Sequence, residues 1–220
     1  KMLSAIDGWA VGNAGTVLHW NGSTWSEYSS PTSNNLNGLA LLDLNNAWAV
    51  GDSGTILNWN GSTWQSFTSP TSLKLNEIYL LSANNGWIVG ESGTLLRWDG
   101  SSCQSYTSPA VHDLYALDFL SDTDGWAVGG LNMPGSGTSE ILKWDGTDWT
   151  VYDHEYSIPA LDKLYDIDMV SPTFGIALGM NNVGEKWNGY FWTAIAPFPY
   201  LMRHNGVDFL SESDGWSVGW

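Results

Sequence analysis

The sequence predicts an all-β fold, a β-propeller of four-stranded antiparallel blades with five complete repeats and half of a sixth. Three observations carry this. Fourteen of the fifteen tryptophans occupy three slots of one repeat about 39 residues long. The first slot holds Trp9, Trp48, Trp87, Trp126, Ile176 and Trp216, the second Trp20, Trp59, Trp98, Trp144 and Trp187, the third Trp25, Trp64, Cys103, Trp149 and Trp192. The spacing from second to third slot is 5 residues in every copy, and from first to second it is 11 except in the fourth. Glycine-bearing turns also recur between all the apolar runs. A fixed period of this size with short strands inside each unit specifies a solenoid or a propeller, and hairpin-type turns throughout argue against a parallel β-helix.

Each unit reads as four strands in order. Strand A is an apolar run such as Leu39-Ala40-Leu41-Leu42 or Ile78-Tyr79-Leu80-Leu81. An Asp-Gly or Asn-Gly pair follows (Asp7-Gly8, Asn85-Gly86, Asp124-Gly125, Asp214-Gly215) and is expected to form the A–B hairpin turn through positive φ. Strand B, Trp-Ala-Val-Gly, is apolar without alternation, as a strand covered on both faces requires. Strand C, Gly54-Thr55-Ile56-Leu57-Asn58-Trp59, places Thr55, Leu57 and Trp59 on one face and Asn58 on the other. The turn Asn60-Gly61-Ser62-Thr63 leads to strand D, Trp64-Gln65-Ser66-Phe67-Thr68, and a Ser-Pro segment such as Ser69-Pro70 breaks the ladder. One large aromatic on each of strands B, C and D supplies the apolar area that packed blades need, since each tryptophan can bury on the order of 200 Å².

The frame Gly-Trp-Ala-Val-Gly-x-x-Gly-Thr-x-Leu-x-Trp-x-Gly-x-x-Trp resembles the repeat of the photosystem II assembly and stability factor-like propellers, relatives of the Asp-box (bacterial neuraminidase) repeat proteins. The resemblance covers essentially the whole chain. It implies the propeller fold rather than one function. The Asp-box turn, Asp-x-Gly-x-Thr-Trp in that family, is shortened here to Asn60-Gly61-Ser62-Thr63-Trp64.

Blade one runs from Lys1 to about Ser30, blade two to about Pro70, blade three to about Pro109, blade four to near Ser157 and blade five to near Pro197; a sixth unit supplies strands A and B. Residues 1–220 are expected to form a single propeller domain that is part of a longer chain, since Lys1 falls in mid-repeat and strand B occurs once more often than strands C and D.

Twenty-three acidic residues against seven basic give a formal net charge of −16. Such a surface repels phosphate backbones and anionic lipid, which argues against nucleic-acid partners, and no apolar run approaches a membrane span, so no membrane insertion is expected. Cys103, the single cysteine, takes a tryptophan slot and reads as a small buried apolar residue.

Function is sought where the repeat departs from itself. Blade four has 18 residues from Trp126 to Trp144, against 11 elsewhere, and the extra residues lie in the B–C loop with Asn132 and Met133. The next D–A connection has 18 residues from Trp149 to Ile167, against 14, and contains Asp153, His154, Glu155 and Tyr156. In an up-and-down blade the B–C and D–A loops share one face. His112, Asp113, Arg203 and His204 map to other D–A connections, hence to the same face, and these ten residues form the expected ligand-binding face. No metal site is expected: Asp153, His154 and Glu155 are adjacent on one loop, and Asp122-Thr123-Asp124-Gly125 lacks the rest of a calcium loop. Asn21-Gly22-Ser23 and Asn60-Gly61-Ser62 are formal glycosylation sequons that coincide with a repeat turn.

No catalytic residue and no cofactor is expected. Sialidase-like chemistry among the resembling proteins uses three arginines, whereas this chain has Arg97 and Arg203 only. The expected function is therefore a non-catalytic binding or adhesion propeller, extracellular or at the cell surface, whose loop face recognises a glycan or a protein. The alternative is a structural or assembly scaffold subunit of a larger surface complex, and a glycosidase-like enzyme is the remaining class.

Overall fold

The structure, a computed structural model, describes residues 1–131, 139–152, 163–180, 184–195 and 203–219. These form five four-stranded antiparallel sheets and one two-stranded sheet, each in simple A-B-C-D order. Blade one comprises Met2–Ser4, Asp7–Val11, Val17–Trp20 and Trp25–Glu27. Blade two comprises Leu36–Asp43, Asn46–Gly51, Ile56–Trp59 and Trp64–Phe67, and blade three Leu75–Ser82, Asn85–Gly90, Leu95–Trp98 and Cys103–Tyr106. Blade four comprises Leu114–Ser121, Asp124–Gly130, Ser139–Trp144 and Trp149–Val151, and blade five Leu164–Ser171, Phe174–Gly179, Gly184–Trp187 and Trp192–Ala194. The sixth unit contributes His204–Ser211 and Asp214–Gly219. The chain divides into two compact units, Lys1–Thr107 with blades one to three and Ser108–Trp220 with the rest.

Within each unit the core lies between consecutive blades. In the first unit, Trp9 and Val17 of blade one pack against Leu39, Leu57, Trp59 and Trp64 of blade two, and Trp48 and Ile56 of blade two against Ile78, Leu96, Trp98 and Cys103 of blade three. In the second unit, Trp126, Val128 and Ile141 of blade four meet Leu164, Ile167, Trp187 and Trp192 of blade five. Strand B is buried on both faces, as its unalternating sequence requires: Ala47, Trp48, Ala49 and Val50 are all buried. At roughly 25 cal/mol per Å², each buried tryptophan contributes about 4–5 kcal/mol as an upper bound. Two slots depart from this pattern, with Trp25 46% and Trp216 58% exposed.

The second-slot tryptophans have a further task. Trp20, Trp59, Trp98, Trp144 and Trp187 each donate the indole N–H to a carbonyl of their own blade's A–B turn (Ala5, Leu44, Ala83, Asp122 and Pro172), at 2.8–3.1 Å. The ring fills the core while its polar edge pins the turn.

That turn corrects one expectation. The residues at the A–B corner are the pair before Asp-Gly or Asn-Gly, such as Ala83-Asn84, and Asp7, Asn85, Asp124 and Asp214 begin strand B. Gly8, Gly86, Gly125 and Gly215 do not take positive φ. Glycine is required there because a Cβ would lie 2.2–2.5 Å from the side chains of Met2, Leu80, Phe119 and Phe209 on strand A. Positive-φ glycines sit instead in the C–D turns, at Gly22, Gly61, Gly100, Gly146 and Gly189, in the B–C turns at Gly15, Gly54 and Gly93, and at Gly130. In all five C–D turns the preceding Asn or Asp accepts backbone N–H groups two and three residues on, as Asn60 Oδ1 does from Ser62 and Thr63 at 3.0 Å. This Asx turn accounts for both sequons.

Neighbouring strands A are joined through side chains. In the second unit Asp118 accepts the Met169 N–H at 2.7 Å, Asp166 that of Val207 at 2.8 Å and Asp168 that of Phe209 at 2.7 Å. In the first unit Asn37 Nδ2 donates to the Leu75 carbonyl at 2.9 Å. Cys103 is buried and unbridged, and burial, with the Asp99 charge a lesser cause, pushes its thiol up to about 12.

Candidate functional site

Six of the seven basic residues occupy two positions of the repeat. Arg97, Lys143 and Lys186 stand on strand C opposite the first slot, and Lys74, Lys163 and Arg203 immediately precede strand A. The second position is fixed by backbone. The carbonyl of the residue before strand A accepts an N–H from the residue after, or at, the end of strand B: Asn35 from Asp52 at 2.9 Å, Lys74 from Glu91 at 2.9 Å, Asp113 from Gly130 at 2.9 Å and Lys163 from Met180 at 3.1 Å. The approach is so close that a Cβ on Gly51, Gly90, Gly129, Gly179 or Gly219 would fall 1.7–2.2 Å from that carbonyl oxygen. The final glycine of Gly-Trp-Ala-Val-Gly is thereby explained, and the side chain before strand A is held on the D–A face.

In the second unit this geometry assembles an alternating ladder of rings and cations. The rings of Tyr115 and Tyr165, both the second residue of a strand A, are 5.4 Å apart and close to perpendicular. Lys163 Nζ lies 4.8 Å from the Tyr115 centroid and 4.7 Å from that of Tyr165, and Arg203 Cζ lies 4.2 Å over Tyr165. Asp113 accepts the Tyr115 hydroxyl at 2.9 Å, and Arg203 Nε donates to Asn205. Burial above all, then the hydrogen bond to Asp113, holds the Tyr115 hydroxyl well above the usual phenol range, so it remains a neutral donor. Cations over aromatic faces each contribute about 0.5–2 kcal/mol, more where water is excluded, and Lys163 is buried. Arg203 is only half-buried. The arrangement therefore offers a planar guanidinium donor beside aromatic rings and a neutral hydroxyl.

Four of the ten expected ligand-binding residues are described. Asp113 and Arg203 belong to the ladder. His112 donates its backbone N–H to Glu140 Oε2 at 2.9 Å, and its Nδ1 lies 3.4 Å from the same oxygen. His204 is buried at the start of the last hairpin, with Nδ1 3.1 Å from Ser217 Oγ, and burial lowers its pKa; it faces inward rather than toward the loops. Asn132, Met133, Asp153, His154, Glu155 and Tyr156 lie outside the described residues. Sequence reasoning overlooked Tyr115, Tyr165, Lys163 and Glu140. A signal existed: the second residue of strand A is Asn37, Asn76 and Asn205 in other units but Tyr115 and Tyr165 in blades four and five. Among the described residues, no group of three or more His, Cys, Asp or Glu converges as metal ligands.

Repeated four-stranded blades packed through tryptophan slots define the protein as a β-propeller. Comparison with known proteins refines this. The family model described as photosynthesis system II assembly factor YCF48 matches residues 5–99, within blades one to three. Among solved structures the chain is similar to YCF48 bound to a D1 peptide, with TM-score 0.73 and 16% identity over 99% of this chain and 73% of that one. It is also similar to the computationally designed Ika8 protein (0.71, 16%, 99% and 66%) and to U3-55K (0.71, 9%, 93% and 67%). The chain thus spans about two thirds to three quarters of the length of these structures. No curated protein matches by sequence. The chain thus has the β-propeller fold, and over residues 5–99 it resembles the photosystem II assembly factor family, as the repeat frame implied. The expectation of an extracellular or cell-surface location is overturned by this kinship, because photosystem assembly is work inside the cell. No comparison points to a glycan.

Proposed function

We propose that the chain is a non-catalytic, protein-binding propeller that acts as an assembly scaffold by holding a segment of a partner polypeptide. The match of residues 5–99 to the photosystem II assembly factor model carries this reading. The alternating ladder of Tyr115, Lys163, Tyr165 and Arg203, with Asp113 and His112 beside it, is the surface proposed for contact; His204 is not included because it faces inward. In a protein of net charge −16 this is a concentrated positive feature, and it fits a segment carrying carboxylates or a free carboxyl terminus.

The test is calorimetric titration of the protein with a synthetic D1-derived peptide, because a similar propeller has been seen with one. Binding is expected, weakened roughly tenfold by Arg203→Ala, which is equivalent to about 1.4 kcal/mol, and further by salt. Absence of binding, or binding indifferent to Arg203→Ala, would remove the peptide or the ladder from the reading respectively.

A further inference from the structure

The other basic position of the repeat marks a second site, on the first unit. Across from the first slot, strand C presents His19, Asn58, Arg97, Lys143 and Lys186 in blades one to five. Four of these place an imidazole or a cation against an aromatic ring of their own blade. His19 lies 4.4 Å from Trp9 between ring centroids, Arg97 Cζ 4.5 Å over Trp87, Lys143 Nζ 4.1 Å over Trp126 and Lys186 Nζ 4.9 Å over Phe174. Blade two has a short neutral asparagine in this place, and its Nδ2 turns back to the Ala47 carbonyl at 3.3 Å.

The rings around the position are nevertheless those of an occupied site. In blade four, where Lys143 supplies the cation, Trp126, Tyr152 and Trp187 stand 4.8, 5.2 and 5.6 Å apart, with one tilted and two edge-on pairs. In blade two, Trp48, Phe67 and Trp98 stand 4.6, 5.0 and 5.4 Å apart with the same three orientations. An open cleft of about 640 Å³ lies there, and its lining includes Asp43, Asn46, Trp48, Asn58, Phe67 and Trp98. The negative partner has moved as well. Asp7 and Asp124 open strand B and pair with His19 and Lys143. In blade two that residue is Asn46, and the carboxylate stands across the register at Asp43, where the other five units have serine.

We propose that this cleft of blade two binds a basic side chain, lysine or arginine, of a partner polypeptide, placing its cation where the other blades place their own. Three rings, a carboxylate and two amide side chains are the recognition chemistry of an organic cation. The proposal is independent of the D–A-face reading, since none of its residues belongs to the ladder.

The test is a titration of the indole-15N-labelled protein with N-acetyl-lysine methylamide and N-acetyl-arginine methylamide, using N-acetyl-norleucine methylamide as the uncharged control. Saturable shifts of the Trp48 indole are expected with the two cations at dissociation constants on the order of millimolar, and none with norleucine. Asn58→Lys should abolish the shifts by placing a cation over the Trp48 ring from within, as Lys143 does over Trp126 in blade four. Asp43→Ser, which restores the residue of the other units on an exposed corner, should weaken binding roughly fivefold to tenfold. No saturable response from the unsubstituted protein, equal response to norleucine, or unaltered binding by folded Asn58→Lys and Asp43→Ser proteins would each overturn the proposal.

Discussion

Blades two and four are built on one frame and solve the same problem differently. In both, the segment before strand A must be held against the end of strand B. Blade two does this with its short B–C turn, Asp52–Gly54, in which Ser53 and Gly54 take φ of 55° and 69°. Asp52 accepts from the side chains of Asn35 and Asn37 at 2.9 and 3.0 Å, while the same turn packs on the outgoing segment, where a Cβ on Gly54 would lie 1.9 Å from the Thr71 carbonyl oxygen. Blade four gives the task to strand C. The buried Glu140 carboxylate accepts the backbone N–H groups of Val111 and His112 at 2.8 and 2.9 Å. The segment is thus secured from strand C, in the one blade whose sequence between the first two slots is seven residues longer.

The comparison can be broken at several points. The largest effect belongs to what the blades share. Trp48→Ala and Trp126→Ala should each cost about 3–5 kcal/mol in urea denaturation, since both rings are buried, and a large inequality would mean that the slots are not equivalent. Next comes the anchor. Glu140→Ala should cost about 2–3 kcal/mol, because it strands two backbone donors, whereas Asp52→Ala, on a more exposed turn, should cost about 1 kcal/mol. The reverse order would refute the transfer of duty. Lys143→Asn converts the blade-four position to that of blade two. It should cost about 1 kcal/mol and give the Trp126 indole a response to added organic cations. The smallest effect is a dependence on pH. The Asp145 carboxylate is held below its usual 3.8 by N–H groups of Asp148 and Thr147. Its contribution is full above 3.8 and is lost as pH falls through the lower native value. Asp145→Asn, the residue type of blades one, two and five, should flatten that part of the melting-temperature profile while leaving the profile near neutrality unchanged.

Most of the fold was legible because the tryptophan spacing is itself a record of strand register. Trp59 to Trp64 is one tight Asx turn, and Trp48 to Trp59 spans one strand pair and its turn. The A–B corner was misplaced by two residues because Asp-Gly is a strong turn signal wherever it occurs. Here its glycine answers a steric demand from the facing strand, which no local propensity reveals. Loop lengths made the D–A face the candidate, but they gave no sign of the ladder. Tyr115, Lys163 and Tyr165 are up to 50 residues apart and meet only because successive strands A lie side by side. The vacancy opposite Trp48 was visible as Asn58 among basic residues, yet its meaning depends on ring positions that only the packed blades supply.

The carboxylates that join strands A in the second unit have a direction. Each reaches forward, from Asp118 in blade four to blade five and from Asp166 and Asp168 in blade five to the sixth unit. Blade five both receives such a bond and gives two. A gene duplication that copied blade five in tandem would therefore reproduce matching ends at every new junction. A copy of blade two, which has Ala40 at the corresponding place, would not. One hydrogen-bonding pattern thus ranks the repeats by how readily each can be multiplied, and makes some routes of growth for this array easier than others.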